Sequence, residues 1–210
     1  MNKKIKEEFK KSRENFTYIE LQKIDDKIYF KNELVEDSEN NIKIAVGENF
    51  YNIFYGSKDS ICRVLSNLYP IKFRFKGKIV NSIEGVLQGI KYRNKKIQNS
   101  VFKYFGVDAY HTRCANLLED WRTNQTLYFK SKSIPRESEK YQNFLDDLYL
   151  SALKNPIHSR ALLSTQNKYL LHHIGCLDKR ETVLTRYEYE SRLYASREIL
   201  KKYPHIFNIK

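Results

Sequence analysis

Glycine and proline are scarce in this chain, with 7 and 4 copies among 210 residues, which excludes a collagen-like repeat or a low-complexity linker as its substance. Cysteine is scarcer still. Cys62, Cys114 and Cys176 are odd in number and far apart, with no Cys-x-x-Cys pair and no histidine at zinc-finger spacing, so a reducing compartment and no structural zinc are expected. Histidine offers no metal site either. His172 and His173 are adjacent and diverge in a helix or a strand alike, while His111 and His158 are isolated, so these rings read as structural or surface groups. No apolar run reaches helix-spanning length, and the start Met1-Asn2-Lys3-Lys4-Ile5-Lys6-Glu7 lacks a signal-peptide core. A cytoplasmic protein with no membrane partner is expected.

Acidic residues are also in short supply, 25 against 38 Lys and Arg, for a net charge of +13. That imbalance implies polyanionic company, whether nucleic acid, a phosphorylated small molecule or an acidic surface, although lysine also serves solubility alone. What the chain does have is ring mass: 16 Tyr and 12 Phe within 41% hydrophobic content, enough for one sizeable core.

The acid shortage makes Glu84 conspicuous. It is the only acidic residue between Asp59 and Asp108, and nine Lys or Arg lie between Lys72 and Lys103 around it. In Ser82-Ile83-Glu84-Gly85-Val86-Leu87-Gln88-Gly89-Ile90-Lys91 the helical period puts Glu84, Gln88 and Lys91 within an arc of roughly 60°. Ile83, Val86, Leu87 and Ile90 take the adjoining arc and face a core. Gly85 and Gly89 leave one flank open to a ligand or to another backbone. The segment reads as one wall of a pocket, capped by Ser82.

Along the chain, residues 2–15 have a helical charge pattern with Ile5 and Phe9 on one face, and Phe16 to Val35 turns strand-like about Asp25-Asp26. The polar run Glu36-Asp37-Ser38-Glu39-Asn40-Asn41 marks a loop and the best boundary. Short strands are expected at Ile42–Val46 and Asn52–Tyr55, then a hairpin from Ile71–Phe75 through Lys76-Gly77-Lys78 to Ile79-Val80. Beyond Glu84 the pattern is mainly helical through Val101, Phe102, Phe105, Cys114, Leu117, Leu118 and Trp121, broken by a loop at Ser131–Arg136. Helices follow at Tyr141–Lys154, after Pro156, and at Tyr187–Tyr203.

Several of these segments, in this order, resemble the NADAR (YbiA-like) superfamily: Ile53-Phe54-Tyr55-Gly56, Leu65-Ser66-Asn67-Leu68-Tyr69-Pro70, Phe75-Lys76-Gly77-Lys78, and Ser82, Glu84, Gln88 and Lys91 at the spacing S-x-E-x-x-x-Q-x-x-K. Leu162–Leu170 is similar to the family's LL-x-T-x-x-x-x-L segment, after which Asp178 matches its Asp. The Trp-Gly pair that follows in the family is absent here, as is the late Asn-Arg-Leu-Gly segment. The resemblance implies an α+β fold, a mostly helical single domain with a small sheet. Residues 1–50 would be an N-terminal, hairpin-containing extension and residues 51–210 the N-glycosidase domain.

The resemblance further implies hydrolysis of a ribosyl C1′–N bond without metal or cofactor, the substrate being ADP-ribosylated guanine in nucleic acid or a related ribosyl-phosphate. Glu84 and Asp178 are then the expected catalytic groups, and Asn67, Gln88, Lys91 and Arg113 the substrate-binding ones. Cleaving that bond builds positive charge on the sugar, which a carboxylate beside C1′ stabilises while it orients or deprotonates water. Basic neighbours hold phosphate and keep the carboxylate ionised. Plainer readings stand beside these roles. Glu84 in a first helical turn serves the helix dipole, worth about 0.3–1 kcal/mol; Lys91 pairs with Glu84; Asn67 stabilises a turn; Arg113 and Asp178 are surface charges; and Trp121 with Arg122 is either a stacking platform or core. The missing late segments support a second function, a catalytically inactive binder of ADP-ribose or nucleic acid.

Overall fold

The computed structural model describes residues 2–112 and 121–208. Helix α1 (Lys3–Glu14) starts at Asn2, whose side chain accepts from Lys4 N, and its i, i+4 pair Ile5 and Phe9 is buried. That pair packs into the main core beside α9 (Arg186–Lys202), the long last helix. Burying two such side chains contributes on the order of 1.5–3 kcal/mol each.

Strands β1 (Gln22–Ile24), β2 (Lys27–Phe30), β3 (Glu33–Asp37) and β4 (Ile42–Lys43) follow as an antiparallel meander. The hairpin expected at Asp25-Asp26 is there, with Asp25 in the left-handed region at φ 51°. Tyr18–Leu21, expected within it, lies outside the strand. The polar run 36–41 ends β3 and turns into β4, and Asp37 is buried with Asn40 N and Nδ2 donating to its carboxylate. The sheet therefore continues across that run.

β5 (Phe50–Asn52) pairs in parallel with β10 (Tyr169–Leu171), so the chain before the site and the chain after it share one ladder. Helix α2 (Ser60–Leu65), capped by Asp59, packs on α8 (Pro156–Ser164). β6 (Phe73–Phe75) and β7 (Lys78–Val80) form the expected hairpin, with Lys76 at φ 45° and Gly77 at φ 86° in the two-residue turn. Phe73 and Phe75 are buried and Arg74 is exposed, so the basic face points outward as the alternation predicts.

After α3 (Ile83–Gly89), α4 (Lys95–Val101), α5 (Gly106–His111) and α6 (Trp121–Asn124), the structure departs from the expected helical run and loop. β8 (Thr126–Phe129) and β9 (Lys132–Pro135) make another hairpin, and Ser131–Arg136 is mostly strand. Lys130 and Ser131 supply its turn at φ 51° and 67°. With no glycine or asparagine there, the sequence carries no turn signal. Arg113, Cys114, Leu117 and Leu118 fall outside the described residues. Helix α7 (Glu139–Ala152) then crosses under β6 and packs on α9 with Phe144, Leu145 and Leu148 buried. The fold is α+β, dominated by helices with several small sheets. Among the described residues no helix is long and apolar enough to cross a membrane.

His158, in α8, is fully buried, and burial pushes its pKa down to about 4 from 6.5. The unfolded chain therefore binds this proton at a higher pH than the folded one, and stability is lost as pH falls from about 6.5 toward about 4. The full effect is on the order of 3 kcal/mol. Melting temperature measured across that window should fall more steeply for the parent than for His158→Leu.

Candidate functional site

A cavity of about 820 Å³ opens between α3, the loop that follows α2, α6 and the chain after β10. Its polar wall is α3. Ser82 caps this helix by accepting from Gly85 N at 2.9 Å while its hydroxyl donates to Tyr104 O at 3.3 Å, which aims the first turn at the cavity. Glu84, Gln88 and Lys91 then fall on the cavity-lining side, each 9% exposed or less.

The three side chains form a relay. Lys91 Nζ donates to Gln88 Oε1 at 2.6 Å, and Gln88 Nε2 donates to Glu84 Oε1 at 2.6 Å. A lysine donates only and a carboxylate accepts only, so the Gln88 amide fits in one orientation. This solves an electrostatic problem. A buried carboxylate and a buried ammonium each cost several kcal/mol to desolvate, and the neutral amide hydrogen-bonded to both offsets part of that cost. Lys91 Nζ also sits 5.9 Å from the centroid of the Trp121 ring.

Asn67 reaches the same cavity from the loop after α2. Its carbonyl oxygen accepts from Glu84 N at 3.0 Å, so the loop satisfies one of the orphan donors of the first turn of α3. Its side-chain Oδ1 accepts from the Tyr149 hydroxyl at 2.9 Å. Burial drives the Tyr149 pKa upward, so the phenol remains a donor. The glycines of α3 serve packing, not ligand approach. A Cβ on Gly89 would lie 2.4 Å from the Phe102 ring, and one on Gly85 would lie 3.1 Å from Val101 O, so the end of α4 occupies the flank.

A further part of the lining, Thr182-Val183-Leu184, is a loop held by Arg136. Arg136 is fully buried, donates through Nε to Thr182 O at 2.9 Å, and forms a two-pronged pair with Glu188 at 2.9 and 2.6 Å. Glu188 is also the third residue of a capping box with Thr185 at the start of α9. Burial pushes the Glu188 carboxyl upward, but the Arg136, Thr185 and Gln142 hydrogen bonds more than offset this and hold it below the usual range. Tyr141 OH donates to Val183 O and completes the clamp.

The structure thus brings Asn67, Glu84, Gln88 and Lys91 together and leaves Asp178 apart. Asp178 is not among the residues that line the cavity; it is exposed, and accepts from Arg180 N at 2.8 Å within its own turn. That hydrogen bond, helped by the Arg180 side chain, lowers its pKa. Arg113 lies outside the described residues. Trp121 proves to be both core and cavity lining, 3% exposed, with Arg122 Cζ 5.4 Å from its ring centroid. Sequence reasoning missed His172, Tyr189 and Glu181, which also line the cavity. Only the β5–β10 pairing brings His172 there, and no local pattern announces it.

Fold and cavity together define an α+β protein whose main cavity is lined by one capped helix carrying a carboxylate, an amide and an ammonium in series. The chain belongs to the family of bacteriophage protein GP30.3, whose model matches residues 60–198, from the start of α2 into α9. No curated protein and no solved structure matches the chain.

Because Glu188 joins the cavity wall to α9, Glu188→Gln should leave the Arg136 charge buried without its counterion. Chemical denaturation should register a loss of about 3–5 kcal/mol.

Proposed function

We propose that this protein is an N-glycosidase of the NADAR type that hydrolyses a ribosyl C1′–N bond, with ADP-ribosylated guanine in nucleic acid as the favoured substrate. The observation that carries the reading is the Glu84–Gln88–Lys91 relay on the wall of a cavity of about 820 Å³. Such a volume holds a nucleotide-sized ligand.

In this reading the C1′–N bond breaks as the base leaves with its electron pair and takes up a proton, and a water oxygen bonds to C1′. Glu84 stabilises the oxocarbenium-like sugar and accepts the water's proton. Gln88 fixes one carboxylate oxygen, so the group does not reorganise as charge develops. Lys91 and Arg122, both against the Trp121 ring, supply the cationic side for phosphate or pyrophosphate. Asn67, with Oδ1 engaged by Tyr149, offers its amide N–H to a sugar hydroxyl or base edge. The net charge of +13 supports a substrate attached to a polyanionic strand. Against the metabolite alternative, the logarithm of the binding constant for nucleic acid should fall linearly with the logarithm of salt concentration.

Release of ADP-ribose from a modified guanine oligonucleotide is the decisive assay. Glu84→Gln should lose product formation by a factor of about a hundred or more, whereas Asp178→Asn should keep it. Equal release by the parent and Glu84→Gln would remove Glu84 from the mechanism. No release by either, with ADP-ribose still bound, would favour the inactive binder, a reading that the exposed position of Asp178 also supports.

A further inference from the structure

We propose that His172 is a substrate-binding residue of the same site, a fixed acceptor whose Nε2 receives a hydrogen bond from a hydroxyl of the bound ribosyl group. The inference rests on the glycosidase reading for the identity of the ligand, and on the geometry below for the role of the ring.

His172 lines the same cavity as the polar residues of α3. Its Nδ1 lies 2.6 Å from Ile53 O, and since a carbonyl oxygen only accepts, Nδ1 carries the hydrogen. Burial holds the pKa of the ring at about 4, so at neutral pH the ring is uncharged and the remaining nitrogen, Nε2, is a lone-pair acceptor. That combination makes the ring an uncharged acceptor at neutral pH and a poor general base. A group with so weak a hold on a proton takes a hydrogen bond from a hydroxyl without abstracting it.

The position of the ring is fixed from four sides. His172 N donates to Glu190 Oε1 at 2.7 Å, and Glu190 is itself held by Arg186 Nε at 2.6 Å. The ring stands edge-on to Tyr189, with centroids 4.9 Å apart and planes at 84°. Gly175 N donates to His172 O at 2.9 Å, and a Cβ on Gly175 would come within 2.9 Å of His172 Cδ2, so the turn closes directly over the imidazole. Nothing in the fold requires so much support for a ring that only fills space. The cavity lining also includes the neutral aromatic groups Phe54, Tyr55 and Tyr189. The cavity thus offers a hydroxyl-bearing sugar both this acceptor and the Glu84 carboxylate.

The two ring nitrogens separate in mutants. His172→Asn keeps an amide near Nδ1 that can donate to Ile53 O and removes the acceptor at Nε2, whereas His172→Gln restores an acceptor near Nε2. Titration calorimetry with ADP-ribose should show His172→Asn binding about five- to tenfold more weakly than the parent, the loss expected for one neutral hydrogen bond, with His172→Gln in between and the melting temperatures of parent and His172→Asn alike. Nitrogen-15 spectra of the imidazole at neutral pH should show a protonated Nδ1, and an Nε2 resonance that shifts when ADP-ribose is added. Equal affinity of parent and His172→Asn, or an Nε2 that carries the proton, would overturn the inference and leave the glycosidase reading intact. Failure of the parent to bind ADP-ribose at all would sink that reading and this one with it.

Discussion

A guanidinium with no exposure to solvent must find partners for all its donors, and Arg136 finds them in places that would otherwise have no reason to meet. It takes the Glu188 carboxylate from the start of α9 and the Thr182 carbonyl from the cavity wall, and it lies over the Tyr141 ring of α7. Replacing the pair by apolar groups would cost little in principle, because desolvating both charges consumes much of their attraction. What apolar groups would not supply is direction. The pair fixes where α9 begins relative to a loop that has no regular structure of its own, and the width of the cavity depends on that distance. A second buried set, Arg192 with Asp146 and the side chain of Gln142, ties the same helix to α7 one turn later. The loop that carries Thr182 is therefore tied to α7 and α9 by buried ionic bonds.

The polar relay on α3 works by the same economy on a smaller scale. Ser82 fixes the start of the helix, the Asn67 carbonyl takes the Glu84 N–H, and the three polar side chains need only their helical spacing to meet. No part of the relay relies on a long loop, so its geometry is as stiff as the helix that bears it. The cations Lys91 and Arg122, by contrast, stand against an aromatic surface, the Trp121 ring.

How much of this could be read from the sequence follows from the range of each interaction. Glu84, Gln88 and Lys91 are neighbours in the chain, so the helical period alone placed them together, and the Lys76-Gly77 turn likewise announced its hairpin. The β8–β9 hairpin was missed because Lys130 and Ser131 adopt left-handed geometry without the residues that signal it. His172 and the Thr182–Leu184 wall were invisible for another reason: they reach the cavity through a parallel strand pair and a buried ion pair, both of which join distant segments. Asp178 shows the opposite case. Its place in a sequence pattern suggested the site, but its hydrogen bonds close on its own turn. Part of the solvent-facing lysine pattern was legible too, since Arg74 lies outward between two buried phenylalanines.

The packing of α1 on α9 sets an order of events during synthesis. Ile5 and Phe9 lie in the core beside a helix that begins at Arg186, and Glu8 is bound by Tyr203 at 2.7 Å and Lys202 at 2.8 Å. A ribosome that emits the chain from its amino end exposes these apolar groups long before their partner exists. The same holds for β5, which waits for β10. Contacts so distant in sequence slow the closing of a fold, and here the nascent chain must keep its first helix from sticking elsewhere. The charge around Ile5 and Phe9, six Lys or Arg within the twelve residues of α1, equips that helix to stay dissolved in the interval.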